Sequence, residues 1–307
     1  MIISETLWMN QKAISVENDT LRIVVLPSLG GKTVSLYHKD SGFEFAAQNE
    51  RGHYPIPTPA TLFKHGDASG IDEAFPTVDK SSIIYNDRSY TYTDHGEIWR
   101  SAFNHEPNDH SIVLRYSSSE NPYSYTKTIS LNDNQVTYHY LIQNTGSCEW
   151  PCMWTFHGLF RYEEDMILHY PANTEKFLNA APGKLLGKVG NIYHIDDTNY
   201  SFRGVPLRSP GAYAKYYCLD KVTEGKCGYT YPSQKMQCLM EYDAKILPYL
   251  GFWVTAGGYR GDCNCALEPS TSFYDAMDIA QSNDTLYLLK PQENLEFTLT
   301  LTLKKTE

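Results

Sequence analysis

The chain has 307 residues, of which 41% are hydrophobic and 20% are charged, and its formal net charge is −10. This length and composition are those of a globular protein that buries a sizeable core. The negative charge argues against nucleic acid, which needs a basic surface, and against an anionic membrane as partners. No apolar run is long enough to span a bilayer, and the first residues do not resemble a secretory signal.

Alternating apolar and polar residues predict β-strands from one end of the chain to the other. In chain order, the predicted strands cover 21–26, 33–37, 112–116, 125–131, 136–143, 286–289 and 297–304. The last is the clearest, because Phe297, Leu299, Leu301 and Leu303 alternate with threonine and lysine as in a half-buried strand. Helical periodicity is scarce, with only short turns expected near Asn283 and in loops. Many closely spaced strands with few helices indicate a β-sandwich or barrel.

Two long stretches with several glycines and prolines, 48–94 and 171–210, interrupt the strands. Loops of this kind on a rigid sandwich usually carry binding residues. No flexible linker divides the chain, and no glycine-rich nucleotide-binding motif is present. We therefore expect one domain over residues 1–307, an all-β, large β-sandwich with long loops. The 24 tyrosines suit strands, and they would also suit a sugar-binding surface.

The seven cysteines favour reduced thiols over a disulfide framework. Their number is odd, no pair has the C-x-x-C spacing, and no leader peptide is visible, so a cytoplasmic location is the simplest interpretation. Cys263 and Cys265 would point to the same face of a strand. No second cysteine or histidine pair accompanies them, as a structural zinc site requires, so we expect no metal site.

The segment 70–77 carries two adjacent carboxylates, Asp72 and Glu73, beside an aromatic residue and a proline. In an extended chain the two side chains point to opposite faces, so they cannot act together as acid and base. One of them, with Asp72 as the candidate, is expected to hydrogen-bond a hydroxyl group of a ligand. The alternative is a turn in which both charges are solvated.

The segment 94–100 concentrates two carboxylates, an imidazole, an indole and a guanidinium. In a strand, His95, Glu97 and Trp99 share one face and Arg100 lies on the other. Gly96 would let a backbone or a ligand come close. Burying such a polar and aromatic face without partners is costly, so it is either exposed or lines a site. We favour a site.

Two further segments contain the candidate acid and base. His157 lies in an aromatic run, where it is either a hydrogen-bonded core residue or a group that exchanges protons near neutral pH. Glu268 follows an apolar pair and precedes Pro269, which is expected to end the strand there. A carboxylate at the rim of an apolar wall is well placed as a general base, although a solvated glutamate at a strand end has the same pattern.

Taken together, these segments resemble the galactose mutarotase-like (aldose 1-epimerase) family. The resemblance covers nearly the whole chain and rests on the order of short motifs. These are the turn at 26–32, the His95-Gly96 pair, His157 in its aromatic strand, the Gly251-Phe252-Trp253 segment and the Leu267-Glu268-Pro269 run. The family fold is a large β-sandwich, also called a supersandwich, with a sugar cleft on a concave sheet, in agreement with the strand pattern.

The resemblance implies a reaction and roles for named residues. The family interconverts the α and β anomers of a free sugar without a cofactor or metal. Glu268 would take the proton from the anomeric hydroxyl and His157 would protonate the ring oxygen. The candidate substrate-binding residues are His95, Arg100, Asp72, Glu97 and Trp253.

The sequence departs from the family at several positions, and these departures indicate a divergent branch with another or a modified aldose. The residues around His157 differ from the longer family motif, the doubled glycine beside His95 is missing, and the family's sugar-binding aspartate could be Asp220 or Asp243. One alternative is a non-catalytic sugar-binding protein. Another is a hexose-phosphate mutarotase, which would need Arg100 and Arg161 in the cleft. A polysaccharide lyase would require a helical domain, for which the chain has no signal.

Overall fold

The computed structural model describes residues 1–58 and 61–307, and strands dominate these residues. In chain order the strands are β1 (Ile2–Trp8), β2 (Gln11–Glu17), β3 (Leu21–Leu26), β4 (Lys32–His38), β5 (Phe43–Glu44), β6 (Ile71–Ala74), β7 (Ser81–Tyr85), β8 (Arg88–Tyr92), β9 (Asn104–Pro107), β10 (Ile112–Ser117), β11 (Tyr123–Asn132), β12 (Gln135–Asn144), β13 (Trp150–Cys152), β14 (Thr155–Gly158), β15 (Phe160–Arg161), β16 (Ile167–His169), β17 (Lys176–Asn179), β18 (Ile192–His194), β19 (Tyr213–Cys218), β20 (Lys226–Tyr231), β21 (Met236–Tyr242), β22 (Tyr249–Ala256), β23 (Cys263–Ser270), β24 (Tyr287–Leu289) and β25 (Asn294–Lys305).

Helical structure in the described residues is limited to short pieces. They are α1 (Met277–Ser282) and the single 3-10 turns Lys39–Ser41, Phe63–His65, Ile98–Arg100 and Pro232–Gln234. The helix α1 ends beside Asn283, where the sequence indicated a short turn. No helix in the described part of the chain is long and apolar enough to cross a membrane.

An eight-stranded antiparallel sheet forms one layer, in the order β16-β20-β21-β25-β12-β11-β10-β9. In β11, β12 and β25, buried residues alternate with residues that are at least partly exposed. This sheet therefore has a core face and a solvent face, as its period of two predicted. Its inward tyrosines pack in the core, where Trp154 donates a hydrogen bond of 2.9 Å to the Tyr125 hydroxyl.

A thirteen-stranded sheet forms the other layer and carries the site. Its main order is β1-β2-β3-β4-β6-β14-β23-β22-β19-β17-β18, with β5 beside β4 and β15 beside β23. The central strands β6 and β14 are buried on both faces. One face packs on the core, and loop residues that include Phe63, Ala68 and residues 180–182 line a cavity on the other. The two stretches interpreted as irregular thus hold strands as well as loops.

The strand predictions are confirmed in each region where the sequence placed them. The 21–26 strand has the predicted bounds, the strand predicted over 286–289 begins one residue later, and the others are longer by one to three residues at one or both ends. Alternation did not predict the short strands β6 and β14, and a strand at His157 was expected only from the family resemblance. Their residues are buried on both faces, so their sequences lack the alternation that identifies a half-buried strand. All seven cysteines are free thiols.

Candidate functional site

A row of side chains crosses the middle of the thirteen-stranded sheet and includes both candidate catalytic residues. Strand register sets this row. Thr155 pairs with Ser270, so the antiparallel register brings His157 level with Glu268 two residues further along. Residues that lie directly opposite each other on neighbouring strands point to the same face of the sheet. His157 and Glu268 therefore share one face, and it is the face opposite the core. On the next strand, Gly251 lies opposite Glu268.

His157 and Glu268 line one cavity of about 370 Å³ on this face. The wall also includes His95 from the turn after β8, Trp253 from β22 and Lys215 from β19. This volume falls in the range of small-molecule sites, and the wall combines apolar surface with a few polar groups, as such sites usually do. A larger cavity of about 490 Å³ lies near β1 and β2, but neither His157 nor Glu268 reaches it.

Glu268 is buried in the middle of the sheet, with 1% of its surface exposed, so the prediction of a rim position is wrong. The ladder between β22 and β23 continues through Pro269 to Ser270. The proline is tolerated because the Leu267 N–H, two residues earlier and on the same flank, has no strand partner and donates instead to the Tyr229 hydroxyl. Between the pairings of β23 with β15 and with β14, the missing N–H of Pro269 therefore costs no ladder bond.

Lys215 forms an ion pair with Glu268, which the sequence did not indicate. Its ammonium group also lies 3.4 Å from Asp275, and Asp275 accepts a 2.6 Å hydrogen bond from the Tyr217 hydroxyl. Burial alone would lower the pKa of Lys215, but the carboxylates of Asp275 and Glu268 raise it above its usual value. Lys215 is therefore a charged ammonium group in the cavity wall.

His157 is held from behind by Asp72, its direct cross-strand partner on β6. The Nδ1 atom lies 2.9 Å from Asp72 Oδ1, and both side chains are buried. Burial alone would raise the pKa of Asp72, but the charge of Lys32 and the hydrogen bond from His157 lower it to about 2. Asp72 does not line the cavity, so it contacts the imidazole where the sequence interpretation expected contact with the ligand.

His95 occupies a turn with a left-handed backbone, φ 57°, and its ring enters the cavity wall. The ring stacks on Phe63 with centroids 3.5 Å apart and meets the His157 ring edge-on at 5.0 Å. Burial lowers the pKa of His95 despite the 2.8 Å contact with Asp94, which opposes that shift. The neutral ring is a hydrogen-bonding group beside the candidate acid.

Residues 96–100 lie outside the cavity wall, because they form a turn and a 3-10 helix and not the strand that the sequence analysis considered for this segment. Glu97 is buried and accepts a 2.7 Å hydrogen bond from the Ser118 hydroxyl. Arg100 pairs with Glu120 at 3.2 Å. Both residues hold the 117–121 loop, and neither is placed to touch a ligand in this cavity.

Trp253 contributes the principal aromatic surface of the wall. Its Nε1 atom donates a 3.2 Å hydrogen bond to Asn264, whose amide nitrogen donates in turn to the Ala68 carbonyl at 3.0 Å. Tyr259 packs edge-on against the indole with centroids 5.7 Å apart. The indole is therefore fixed while part of its face remains open, an arrangement suited to the C–H face of a sugar.

The cavity is also lined by three aspartates that the sequence analysis did not select, Asp79, Asp94 and Asp275. Asp220 and Asp243, the two expected candidates, are exposed and lie outside its wall. Asp79 opens into the cavity, and desolvation there together with the charge of Asp275 raises its pKa to about 6. No spacing motif marks these positions, because the fold brings them together from distant loops.

The residues 1–58 and 61–307 contain no group of three or more His, Cys, Asp or Glu arranged to hold a metal ion. The cavity wall instead combines an imidazole pair, an ion-paired glutamate and further carboxylates. Such a set can donate and accept protons and bind hydroxyl groups.

Residues 4–198 match the family model described as Domain of unknown function (DUF5107). The match covers more than half of the chain, so the chain belongs to this family. The matched stretch includes Asp72, His95 and His157, whereas Lys215 and Glu268 lie beyond it. No curated protein matches the chain by sequence.

Several solved structures have a similar fold over most of the chain. A galactose mutarotase-like protein from Clostridium acetobutylicum matches with a TM-score of 0.73 and 15% identity, with 99% of each chain covered. A galactose mutarotase related enzyme from Lactobacillus acidophilus gives 0.70 and 15%, over 96% of this chain and 98% of that one. The Slr1438 protein from Synechocystis sp. PCC 6803 gives 0.74 and 18%, over 96% of both. The predicted galactose mutarotase-like supersandwich is therefore confirmed.

Proposed function

We propose that the chain is an aldose 1-epimerase, a mutarotase that interconverts the α and β anomers of a free, unphosphorylated aldose. One observation carries this proposal. His157 and Glu268 come level on the same face of adjacent strands, and both line a single cavity of about 370 Å³. A pyranose fits such a volume, and an acid and a base on neighbouring strands can act on two oxygens of one ring.

In the proposed reaction, Glu268 takes the proton of the anomeric hydroxyl while His157, as imidazolium, gives a proton to the ring oxygen. The bond between C1 and the ring oxygen breaks, leaving an open-chain aldehyde. Rotation about the C1–C2 bond presents the other face of the aldehyde. The ring oxygen then attacks, its proton returns to His157, and Glu268 returns a proton to the anomeric oxygen. The reaction is balanced without an added reactant.

Lys215 has a definite part in this scheme. Its ammonium group forms an ion pair with the Glu268 carboxylate and holds that carboxylate in the cavity wall. The substrate hydroxyls would bind to Asp79, Asp94 and Asp275, and Trp253 would pack against the sugar ring. His95 would donate to or accept from an oxygen near the ring.

A non-catalytic sugar-binding protein is the second candidate, and the ion pair between Lys215 and Glu268 is the observation that favours it. A glutamate fully engaged by an ammonium group can bind a hydroxyl without removing its proton. A hexose-phosphate substrate has no comparable support. Lys215 is the one lysine or arginine in the described cavity wall, and Arg161 pairs with Glu163 outside it.

The direct test is anomer exchange followed by NMR magnetisation transfer on a panel of aldoses. Wild type should accelerate exchange for at least one of them. Glu268→Gln and His157→Gln should each lower the rate by about 10²- to 10⁴-fold, the usual contribution of a positioned acid or base. Asp243→Asn, an exposed carboxylate outside the cavity, is the matched control and should keep the wild-type rate.

Two results would contradict the proposal. If wild type binds an aldose without accelerating exchange, the non-catalytic function replaces the enzyme. If Glu268→Gln exchanges anomers as fast as wild type, Glu268 is not the base.

A further inference from the structure

We propose that Asp72 is the positioning residue that fixes the tautomer of His157, and that Lys32 sets the orientation in which Asp72 does so. This inference rests on the proposed function for its kinetic consequence, but the tautomer itself can be measured in the free protein. Neither of the two expectations raised by the sequence for Asp72, a ligand contact or a turn with solvated charges, anticipates this role.

The first step of the argument is the register of three neighbouring strands. Thr33 on β4 pairs with Ile71 on β6, so Lys32 stands opposite Asp72, and Asp72 stands opposite His157 on β14. The lysine, the carboxylate and the imidazole therefore lie in one line across the sheet. The line begins in a closed interior and ends at the cavity.

The second step is the use of each carboxylate oxygen. Asp72 Oδ2 lies 3.0 Å from the Lys32 ammonium group, and Oδ1 lies 2.9 Å from His157 Nδ1. An ionised carboxylate only accepts hydrogen bonds, so His157 Nδ1 must carry a hydrogen. In the neutral ring Nε2 then has a free lone pair, and in the charged ring it carries the second proton. Nε2 is therefore the atom that can exchange a proton with a ligand.

The third step is the anchoring of Lys32 itself. Its ammonium group also lies 3.1 Å from Asp67 and donates at 2.9 Å to the Ser69 carbonyl. Asp67 is held by hydrogen bonds from Asn49 at 2.7 Å and from the Ser69 hydroxyl at 2.7 Å. Lys32 and Asp67 are both almost fully buried. The ammonium group therefore cannot turn away from Asp72 without losing several buried contacts.

The substitution Asp72→Asn keeps the shape of the side chain and removes its negative charge. Lys32 only donates, so the new side-chain oxygen should face it and the new NH₂ group should face His157 Nδ1. Nδ1 must then accept a hydrogen bond, and the ring proton should move to Nε2. We expect kcat to fall by about 10²- to 10⁴-fold with little change in KM, because the substrate contacts are unaffected.

The neighbouring Glu73→Gln is the matched control. Glu73 is equally buried and also pairs with a lysine, Lys127 at 2.7 Å, but it faces the core and does not touch His157. This variant should lose stability yet keep the His157 tautomer and the wild-type kcat. A general loosening of β6 would affect both variants alike.

The experiment is a two-bond ¹H–¹⁵N correlation spectrum at alkaline pH, with the His157 signals identified by their loss in His157→Gln. Wild type should show Nδ1–H and Asp72→Asn should show Nε2–H. A wild-type ring protonated at Nε2 alone would overturn the inference even if Asp72→Asn does not fold. So would a folded Asp72→Asn variant that keeps Nδ1–H, or one that changes tautomer with wild-type kcat. If wild type shows no anomer exchange, the proposed function fails while the spectra still decide the tautomer.

Discussion

The two faces of β6 put adjacent carboxylates to different uses. Asp72 and Glu73 are both buried and both lie beside a lysine. On the core face, one oxygen of Glu73 receives both the Lys127 ammonium group and a 2.7 Å hydrogen bond from the Tyr140 hydroxyl. On the site face, Lys32 takes one oxygen of Asp72 and the other is left for an imidazole that reaches the cavity. A buried ion pair can therefore take part in a site when the second carboxylate oxygen accepts a hydrogen bond from a side chain that lines the cavity.

The same comparison explains opposite pKa shifts in neighbouring residues. Burial raises the pKa of Glu73, and the single ammonium group of Lys127 does not reverse this. Burial also acts on Asp72, but Lys32 and His157 together lower its pKa to about 2. Charge partners, more than depth, therefore separate the two carboxylates.

The largest expected effect concerns the core face. Lys127→Met leaves the Glu73 carboxylate buried without its cation, so we expect a loss of about 3–5 kcal/mol in the free energy of unfolding. Urea unfolding followed by fluorescence measures this loss. The double variant Lys127→Met/Glu73→Met should recover most of the lost stability, because replacing a buried ion pair with apolar groups often leaves the free energy of unfolding unchanged. A loss below about 1 kcal/mol in the single variant would mean that Glu73 is neutral in the fold.

A second prediction concerns the site face. A Cβ atom at Gly251 would lie 2.9 Å from the Tyr217 ring and 3.2 Å from Glu268 Oε2. Gly251→Ala should therefore displace Glu268 and slow anomer exchange by about 10²-fold, the usual cost of a misplacement near 1 Å. Gly204→Ala, whose added atom meets nothing nearer than 3.5 Å, is the control for the same exchange assay. Equal rates in the two variants would show that Glu268 has room to move.

The smallest effect is a difference in pH dependence. The pKa of Asp72 is lowered on folding, so its stabilisation is present above pH 4 and is lost as the pH falls from about 4 to about 2. Its size is about 2 kcal/mol. The stability difference between wild type and Asp72→Asn should shrink over that window. The pKa of Glu73 is raised, so wild type loses stability relative to Glu73→Gln as the pH rises above 4.5. Denaturant unfolding from pH 2 to 7 measures both, and parallel curves would contradict the comparison.

Period-two alternation made the central strands of the eight-stranded sheet predictable from the sequence. β25 and β12 each bury one face, so their apolar residues recur at every second position, and their bounds were predicted to within a few residues. The strands β6 and β14, which carry Asp72 and His157, are buried on both faces and show no such alternation. Their pairing follows from the fold of the whole sheet.

Residue type and order identified His157, Glu268, His95 and Trp253 as site candidates, and all four line the cavity. Lys215 was missed because a lysine between tyrosines in a strand has the pattern of an exposed position. Glu97 was selected on the assumption of a strand, and Arg100 was selected from the family resemblance. The turn that forms instead is favoured by Gly96, whose φ is +67° and whose added Cβ would lie 1.9 Å from the Phe75 carbonyl oxygen.

The bond between the Leu267 N–H and the Tyr229 hydroxyl ties the strand of Glu268 to the opposite sheet, since Tyr229 belongs to β20. On that flank β15 pairs with β23 at Asn264 and Cys265, and β14 pairs with it at Ser270. The Leu267 contact lies between these two pairings and joins the two layers of the sandwich. Glu268 itself lies in the ladder with β22, opposite Gly251, so its strand is held both within its own sheet and from the opposite one. The position of the proposed base thus depends on a tyrosine of the opposite layer that does not itself line the cavity.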